Sequence, residues 1–501
     1  MVMAVTVVSK ILGFLRDIVL AYYYGTSLVT DAFFVAQTIP EFLFILVVQT
    51  ISIGFIPVYV RIAQKQDENA ANEFTNKILK LCMLLSILLI IFVNLFATEI
   101  VTVFASGFTG EKAALTVGFT RIIVFSMFFR IIVAVYSAYL NANSRFLKPA
   151  MNGVILDVVS IIAIIVSFYT SSVVIVFGTI AATFLQFMSL FTTVVKMKPI
   201  IRPSFRGMID DNVKQMIALL LPVALGVGAS QINVLADRTM ASSIPGAISS
   251  LNYANKVNNV LENIIIFSLS TVIFPAFSRC AASGDLPSLK KQLNKSMDVV
   301  SVTMIPCSCV SFVFSSTIIQ ILFERGAFGV TAIENSAAAM RFYSIGLLFL
   351  SYNAIMNRAL YALKKVRQLS YISCGTVAVN IGMNFLLKPV MGIGGLALAT
   401  SISNIFATFA MMYLIVKELG DNKLEIKTEI VKAVAASGGM ILAMLVNMRI
   451  LSHINTFFAF CISGALGVMA FIATEYLLKS ELIVYSLVMV KESVTKKRKK
   501  S

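Results

Sequence analysis

The sequence predicts an all-α polytopic membrane protein of about fourteen transmembrane helices, and three observations carry that prediction. Apolar residues make up 58% of the chain and charged ones only 13%, and the apolar residues lie in blocks long enough to cross a bilayer rather than at amphipathic spacing. Lys and Arg gather in every second gap between the blocks, as the positive-inside rule requires. The blocks also form two similar sets of six, followed by two more. Lipid is therefore the solvent for most of the side chains, and a soluble fold is excluded.

From the N-terminus, Lys10 and Arg16 interrupt the first apolar run and no small-residue cleavage site follows, so this segment reads as a retained helix and not a secretory signal. Breaks at Gly, Pro and polar clusters set the first six spans near 2–24, 30–60, 77–105, 116–141, 150–169 and 172–196. A basic linker from Lys196 to Lys214 leads to six more, near 214–240, 247–277, 292–323, 334–362, 367–388 and 393–416. Two last spans, near 429–450 and 455–474, precede a charged tail with Lys496, Lys497, Arg498, Lys499 and Lys500. The expected organisation is an N-terminal lobe over 1–198, a C-terminal lobe over 199–420, and a final helix pair with its tail over 421–501.

The charge pattern fixes an expected orientation. One side holds Arg61, Lys65, Lys77 and Lys80, then Arg145 and Lys148, then the linker, and continues through Arg279, Lys290, Lys364, Arg367, Lys417 and Lys432. The other side offers little beyond Lys112, Arg325 and Lys388. Both termini are thus expected in the cytoplasm, with the terminal basic run on anionic headgroups. The net charge of +17 follows from this distribution, so nucleic acid is not an expected partner. The six cysteines show no CxxC spacing, which argues against a metal or disulfide framework.

The two sets of six resemble each other in sequence. Phe104-Ala-Ser-Gly-Phe108 recurs as Phe323-Glu-Arg-Gly-Ala-Phe328 before the fourth helix of each set. Tyr139 and Arg145 recur at equal spacing as Tyr361 and Arg367, and Phe55-Ile-Pro57-Val as Ile273-Phe-Pro275-Ala. An even number of helices per copy means both copies enter from the same side. The expected relation is a pseudo-two-fold along the membrane normal, with a substrate cavity between the halves.

Ionisable groups inside spans are costly and tend to face a bundle interior or water. Helix 1 carries Arg16 and Asp17, and helix 2 carries Asp31, Thr38 and Glu41 at helical spacing. Helix 7 has Asp237 and Arg238. On helix 8, Asn252, Asn255, Lys256, Asn258, Asn259 and Glu262 share an arc of less than half the helix. Arg16, Arg238 and Lys256 would then present cations to a phosphate group, for which a guanidinium fork is well suited; pairing with neighbouring carboxylates to hold helices together is the other reading of these charges. Arg130, near the middle of helix 4, joins the candidates. Asn380 and Asn384 on helix 11, with Thr400 on helix 12 and Asp237, are a candidate cation site, or else hydrogen-bonding glue between helices. His453, the only histidine, falls in a short loop.

These residues resemble the MurJ (MviN) family of lipid II flippases, within the multidrug/oligosaccharidyl-lipid/polysaccharide exporter superfamily. The resemblance covers essentially the whole chain. It rests on Ser9-Lys-Ile-Leu-Gly-Phe-Leu-Arg16-Asp17, Gly25, Thr30-Asp31-Ala-Phe-Phe-Val-Ala36, Phe55-Ile-Pro57-Val, Ala236-Asp237-Arg238, Leu251-Asn-Tyr-Ala-Asn-Lys256 and the Phe323 motif, in that order. It implies a six-plus-six core working by alternating access, undecaprenyl-diphosphate-linked disaccharide-pentapeptide as cargo, and a groove for the polyprenyl tail on helices 13 and 14. It further implies that Arg16, Arg238 and Lys256 handle the diphosphate and sugar head. This chain departs from many relatives in reading Glu41-Phe-Leu-Phe-Ile where they carry an Arg pair.

The expected function is therefore a lipid II flippase of the bacterial inner membrane, serving peptidoglycan and cell wall biogenesis and cell shape, with no enzymatic chemistry. Its head-group residues are expected among Arg16, Asp17, Asp31, Arg130, Arg238, Asn252, Lys256 and Asn259. A flippase for another polyprenyl-linked glycan, a multidrug/cation antiporter of the same superfamily and a non-transporting scaffold are the rivals. No cofactor is expected. There is no GxxxxGK[ST] loop, so energy is expected from the membrane potential or from Na+ or H+ coupling. Expected partners are lipid II, membrane lipids and cell-wall synthesis proteins, with the chain itself a monomer.

Overall fold

The computed structural model describes residues 2–197, 210–218, 221–420 and 427–480. Most of the basic linker, Lys423 and the Lys496–Lys500 run lie outside the described residues. Among the described residues there are seventeen helices and no strand. All-helical structure is what a bilayer imposes, because a helix satisfies its own backbone groups without water.

The first half comprises α1 (Val2–Tyr24), α2 (Leu28–Lys65), α3 (Glu68–Leu95), α4 (Ala97–Phe104), α5 (Gly110–Ile123), α6 (Ser126–Ala142), α7 (Leu147–Tyr169) and α8 (Val173–Lys196). The second comprises α9 (Asp211–Ala218), α10 (Leu221–Ala241), α11 (Ala247–Ser283), α12 (Leu286–Val313), α13 (Ser315–Phe323), α14 (Val330–Ala362) and α15 (Val366–Leu419). Then come α16 (Lys427–Ile450) and α17 (Thr456–Leu477). Each span expected from the sequence falls on helix. The third, fourth and ninth are each two helices in succession, and the seventh is helix on both sides of 219–220, which lie outside the described residues. The eleventh and twelfth both lie within α15 as two helices divided at Gly392, whose φ of 55° and ψ of −125° are non-helical; a straight helix of its 54 residues would reach about 80 Å, far more than one bilayer.

Eight helices among the described residues are long and apolar enough to cross a membrane, and a ninth span is added if α5 and α6, bent by 41°, count as one. Pro57 in α2 and Pro275 in α11 lie within long helices at matching points of the repeat. Local starts are capped as expected. Asp67 accepts from Ala70 N–H ahead of α3, and Asp285 from Ser288 N–H ahead of α12.

The chain divides into two compact units. The first comprises 1–250 with the short segment 323–332; the second holds 251–322 and 333–501. The first unit is cored by Phe55, Tyr59, Phe74, Tyr136 and Tyr139, with Val213 and Met216 of α9 packed into the same cluster. Arg61 donates to Gln215 and Asn212, and Lys77 to Asp210, tying α9 to the ends of α2 and α3. In the second unit, Met297, Met304, Met356 and Met411 lie among the buried core. There α16 packs on α12 through Met440 and Met444, while Leu442 and Met469 leave more than half their surface open, as side chains facing lipid would.

Candidate functional site

Two polar assemblies stand out inside the first unit, and both arise from charges that a membrane helix carries only at a cost. The first is centred on Arg16. Its Nε and Nη2 donate to Asp17 Oδ1 at 3.2 and 3.0 Å, and its Nη1 donates to Asp157 Oδ1 at 3.0 Å. Asp17 and Asp157 are both buried. Close packing of α1 on α7 makes this contact: a Cβ on Gly153 would stand 2.0 Å from Ser9 Oγ, and one on Gly13 would stand 3.3 Å from Asp157 Oδ2. Any larger residue at Gly153 would hold the helices apart. Tyr24 and Ser167 complete the seam with a 2.9 Å hydrogen bond.

Beside this triad lies a small cavity of about 20 Å³, whose polar lining includes Arg16, Asp17, Gln37, Arg130, Ser160 and Thr179. Arg130 reaches Glu41 at 3.5 Å, and Gln37 donates to Glu41 at 3.1 Å. The structure thus brings together three of the expected site residues, Arg16, Asp17 and Arg130. Asp157 was missed because its segment reads as almost uncharged. The lone carboxylate inside that apolar run was the available signal.

The second assembly contains Asp31, and it is a fastening. Asp31 has no exposed surface. Its Oδ2 accepts from Lys112 Nζ at 2.6 Å and Gly246 N–H at 3.0 Å, and its Oδ1 accepts from Ser249 N–H and Oγ at 2.9 and 2.7 Å. Gly246 and Ser249 flank the start of α11, so Asp31 caps a helix N-terminus from another part of the chain, where a carboxylate also meets the positive end of the dipole. Both its oxygens are engaged. Lys112, which reads in the sequence as a loop charge, is only 16% exposed and also lies over the Phe108 ring at 4.0 Å.

Around Asp31 four loops meet, all on the side poor in Lys and Arg. A Cβ on Gly107 would come within 2.5 Å of Ser243 backbone, and Gly107 N–H donates to Ser242 Oγ at 2.9 Å. Ala327 N–H donates to Tyr22 O at 2.8 Å. Gly25 and Gly326 both have positive φ, and a Cβ on either would strike the other loop's carbonyl at 2.3 or 2.2 Å. Gly107 and Gly326 are the glycines of the repeated Phe104 and Phe323 motifs. Each copy of the motif therefore closes on the first helical hairpin of the opposite copy.

The other candidates lie on α10, α11 and α15. Arg238, half-buried on α10 beside Asp237, reaches Ile248 O at 3.5 Å. Asn252, Lys256 and Asn259 are partly buried on α11 in the second unit, where Asn258 of the same stripe is buried. Asn380 and Asn384 are fully buried in that unit. Asn384 Nδ2 donates to Asn380 Oδ1 at 2.9 Å, and Asn380 Nδ2 to Thr400 Oγ1 at 3.4 Å. These three expected neighbours meet within the second unit; Asp237 lies on α10. Among the described residues no group of three His, Cys, Asp or Glu is set to hold a metal ion.

Comparison with known proteins bears on this arrangement. The family model described as "Lipid II flippase MurJ" matches residues 20–463. A "Probable lipid II flippase MurJ" of Thermotoga maritima is 28% identical over 484 residues, covering 95% of each chain, and one of Buchnera aphidicola subsp. Baizongia pistaciae is 26% identical over 465 residues, covering 90% of each. A solved structure titled "Lipid II flippase MurJ, inward closed conformation" superposes with a TM-score of 0.83 at 24% identity, over 96% of this chain and 99% of that one. An inward-facing MATE multidrug transporter of the MOP superfamily follows at a TM-score of 0.73 and 13% identity, over 82% of this chain and 94% of that one. This multi-pass membrane protein belongs to the lipid II flippase MurJ family.

Proposed function

We propose that this protein carries lipid II, the undecaprenyl-diphosphate-linked precursor of peptidoglycan, across the bacterial inner membrane by alternating access. The observation that carries the reading is the family match across nearly the whole chain. The buried Arg16 assembly supports it, because a guanidinium held inside a membrane lobe is suited to phosphate oxygens. Arg238 and Lys256 supply further cation on the helices that follow. Alternating access then requires the fastening around Asp31 to release when the outer face opens. Both termini lie in the cytoplasm, and the protein acts as a monomer beside the enzymes that consume lipid II.

Energy comes from the membrane potential, worth about 2.3 kcal/mol per charge per 100 mV, or from Na+ or H+ binding. Asp237 with Asn380, Asn384 and Thr400 remains the proposed cation site. The likeness to a MATE fold supports one rival, a multidrug/cation antiporter. Depletion in the native bacterium separates the two. The flippase reading expects lipid II to accumulate on the cytoplasmic leaflet and cells to lose shape; heightened drug sensitivity with lipid II distribution unchanged would favour the antiporter.

A further inference from the structure

The α16–α17 pair holds an ionisable group that head-group handling, as read above, leaves unused. Glu475, near the end of α17, has none of its surface exposed, and among the described residues neither of its carboxyl oxygens has a hydrogen-bond partner. A side chain with no open surface leaves no room for a water against it. The hydroxyl of Ser480, close by, gives its one hydrogen to Glu429 Oε2 at 2.6 Å and has none to offer. An ionised carboxyl here would lose its hydration and gain no hydrogen bond in return, a cost that the neutral acid largely escapes. Small residues seal the position. Ala433, Ala436 and Ser437 of α16 are buried, and a Cβ on Gly439 would stand 3.3 Å from Thr474 Oγ1, so α17 lies close on α16 where Glu475 follows.

The chain leaving α17 is tied back to α16 at the same place. Lys479 has a φ of 53°, the left-handed conformation for which helix ends commonly use glycine, and Ser480 N–H donates to Glu475 O at 3.0 Å. Lys432 Nζ donates to Lys479 O at 3.1 Å and to Glu429 Oε1 at 2.8 Å, while Ser480, fully buried, holds Glu429 through its hydroxyl. Both ties therefore run through Glu429 and Lys432, and these are the charged groups that face Glu475. On the helices that α16 packs against through Ile430 and Met440, Lys290, Lys295, Asp298, Arg358, Lys417 and Glu418 are not among them. Tyr476 on α17 and Lys479 beyond it are exposed.

We propose that Glu475 is a proton-binding site that controls this fastening. With the proton bound, the uncharged acid occupies the sealed position, and Lys432 and Glu429 hold the chain after α17. Loss of the proton leaves a carboxylate that competes for Lys432, repels Glu429 and draws in water, so that Lys479 and Ser480 come free. The proton moves between solvent and one Glu475 oxygen, and no other covalent bond changes. The chain so released continues toward the basic run at Lys496–Lys500. None of these residues belongs to the head-group site, so the latch stands or falls independently of the cargo.

The test uses the purified full chain in detergent over about pH 5 to 9, which spans both ordinary and burial-shifted carboxyl titration. Infrared absorption reads the protonated carboxyl as a band that the wild type shows and Glu475→Gln lacks. Hydrogen exchange of amides 478–480, corrected for its own pH dependence, reads the fastening. The expected result is that band at neutral pH and, as it disappears on raising the pH, a loss of protection of about tenfold or more, with Glu475→Gln protected throughout. Ser480→Ala is expected to keep the band and lose protection at every pH. If Glu475→Gln does not fold, Glu475→Ala supplies the missing band, and the coincidence of band and protection in the wild type still decides. No band difference at neutral pH, or wild-type protection that stays flat over the range whether or not the band does, overturns the proposal; full protection in Ser480→Ala does the same.

Discussion

Two buried polar clusters occupy matching places in the sequence repeat yet are built from different chemistry. Asp157 lies twelve residues beyond Arg145 on α7, and Asn380 lies thirteen beyond Arg367, the repeat partner of Arg145, on α15. The first cluster joins Asp157 to Arg16 and Asp17 by charged hydrogen bonds; the second joins Asn380 to Asn384 and Thr400 by neutral ones. Neutral amides fasten membrane helices at a modest energy and leave no charge to answer. Buried charges cost several kcal/mol to desolvate, and the Arg16 cluster, unlike the fully engaged Asp31, borders a cavity, which favours a ligand role for it. Under the proposed function the charged cluster answers to ligand chemistry, and sodium dependence decides between the proposed cation site and a helix fastener for the neutral one.

The sharpest break would come at Arg16. Arg16→Ala removes the shared partner of two buried carboxylates and is expected to cost about 2–5 kcal/mol, on the order of 30- to 5,000-fold in lipid II affinity, with membrane insertion near normal. Asn384→Ala is expected to cost about 1 kcal/mol of stability. Binding isotherms and thermal melts of both variants check the contrast. Loss of sodium-dependent transport in Asn384→Ala, with fold intact, would move the neutral cluster to the functional side.

The clasp gives the next effect. Asp31→Ala would leave Lys112 and the start of α11 without their acceptor, at about 3–5 kcal/mol against the closed conformation. A cysteine placed at Thr26, in a background lacking the six native cysteines, should then react faster with an impermeant thiol reagent added outside. An unchanged rate would separate Asp31 from gating.

Smaller effects are expected at the periphery. Charged replacements of Leu442 on α16 or Met469 on α17, both lipid-facing, should weaken binding of long-tailed substrates more than of short-tailed analogues; equal losses would make these helices structural alone. Asp210 lies outside the spans. Burial pushes its carboxyl up, but the Val213 N–H and Lys77 outweigh this and hold it below the ordinary carboxylate range. Its stabilisation of the α9 docking is therefore present above the unfolded carboxyl value, and is lost as pH falls through the depressed folded one. Hydrogen exchange in α9 should rise at the acid end by under about 1 kcal/mol of protection, and Asp210→Asn should show that rise at neutral pH.

The sequence discloses the helices well, since apolar blocks and alternating basic loops are direct consequences of the bilayer. Ends and breaks are harder to see. The division between 367–388 and 393–416 is visible, but that a single residue at positive φ, Gly392, makes the turn depends on backbone geometry that hydropathy does not encode. At the site, Arg16, Asp17 and Arg130 are visible as intramembrane charges, but the partners on other helices lie 141 residues from Arg16 and 89 from Arg130. Asp157 is hidden by the apolar run around it, and Lys112 by its place near a loop. The repeated Phe104 and Phe323 motifs are legible as a repeat, yet their role is not, because each glycine is required by a carbonyl or backbone of a distant loop.

Translocation itself is the most direct measurement. In proteoliposomes holding labelled lipid II or another labelled undecaprenyl-linked glycan, this protein is expected to move lipid II to the opposite leaflet faster than the other glycan, and Arg16→Ala to reduce that rate to the protein-free level. Equal transport of both lipids, absent transport of lipid II, or full-rate transport by Arg16→Ala would contradict the assignment of this charged lobe to the lipid II diphosphate.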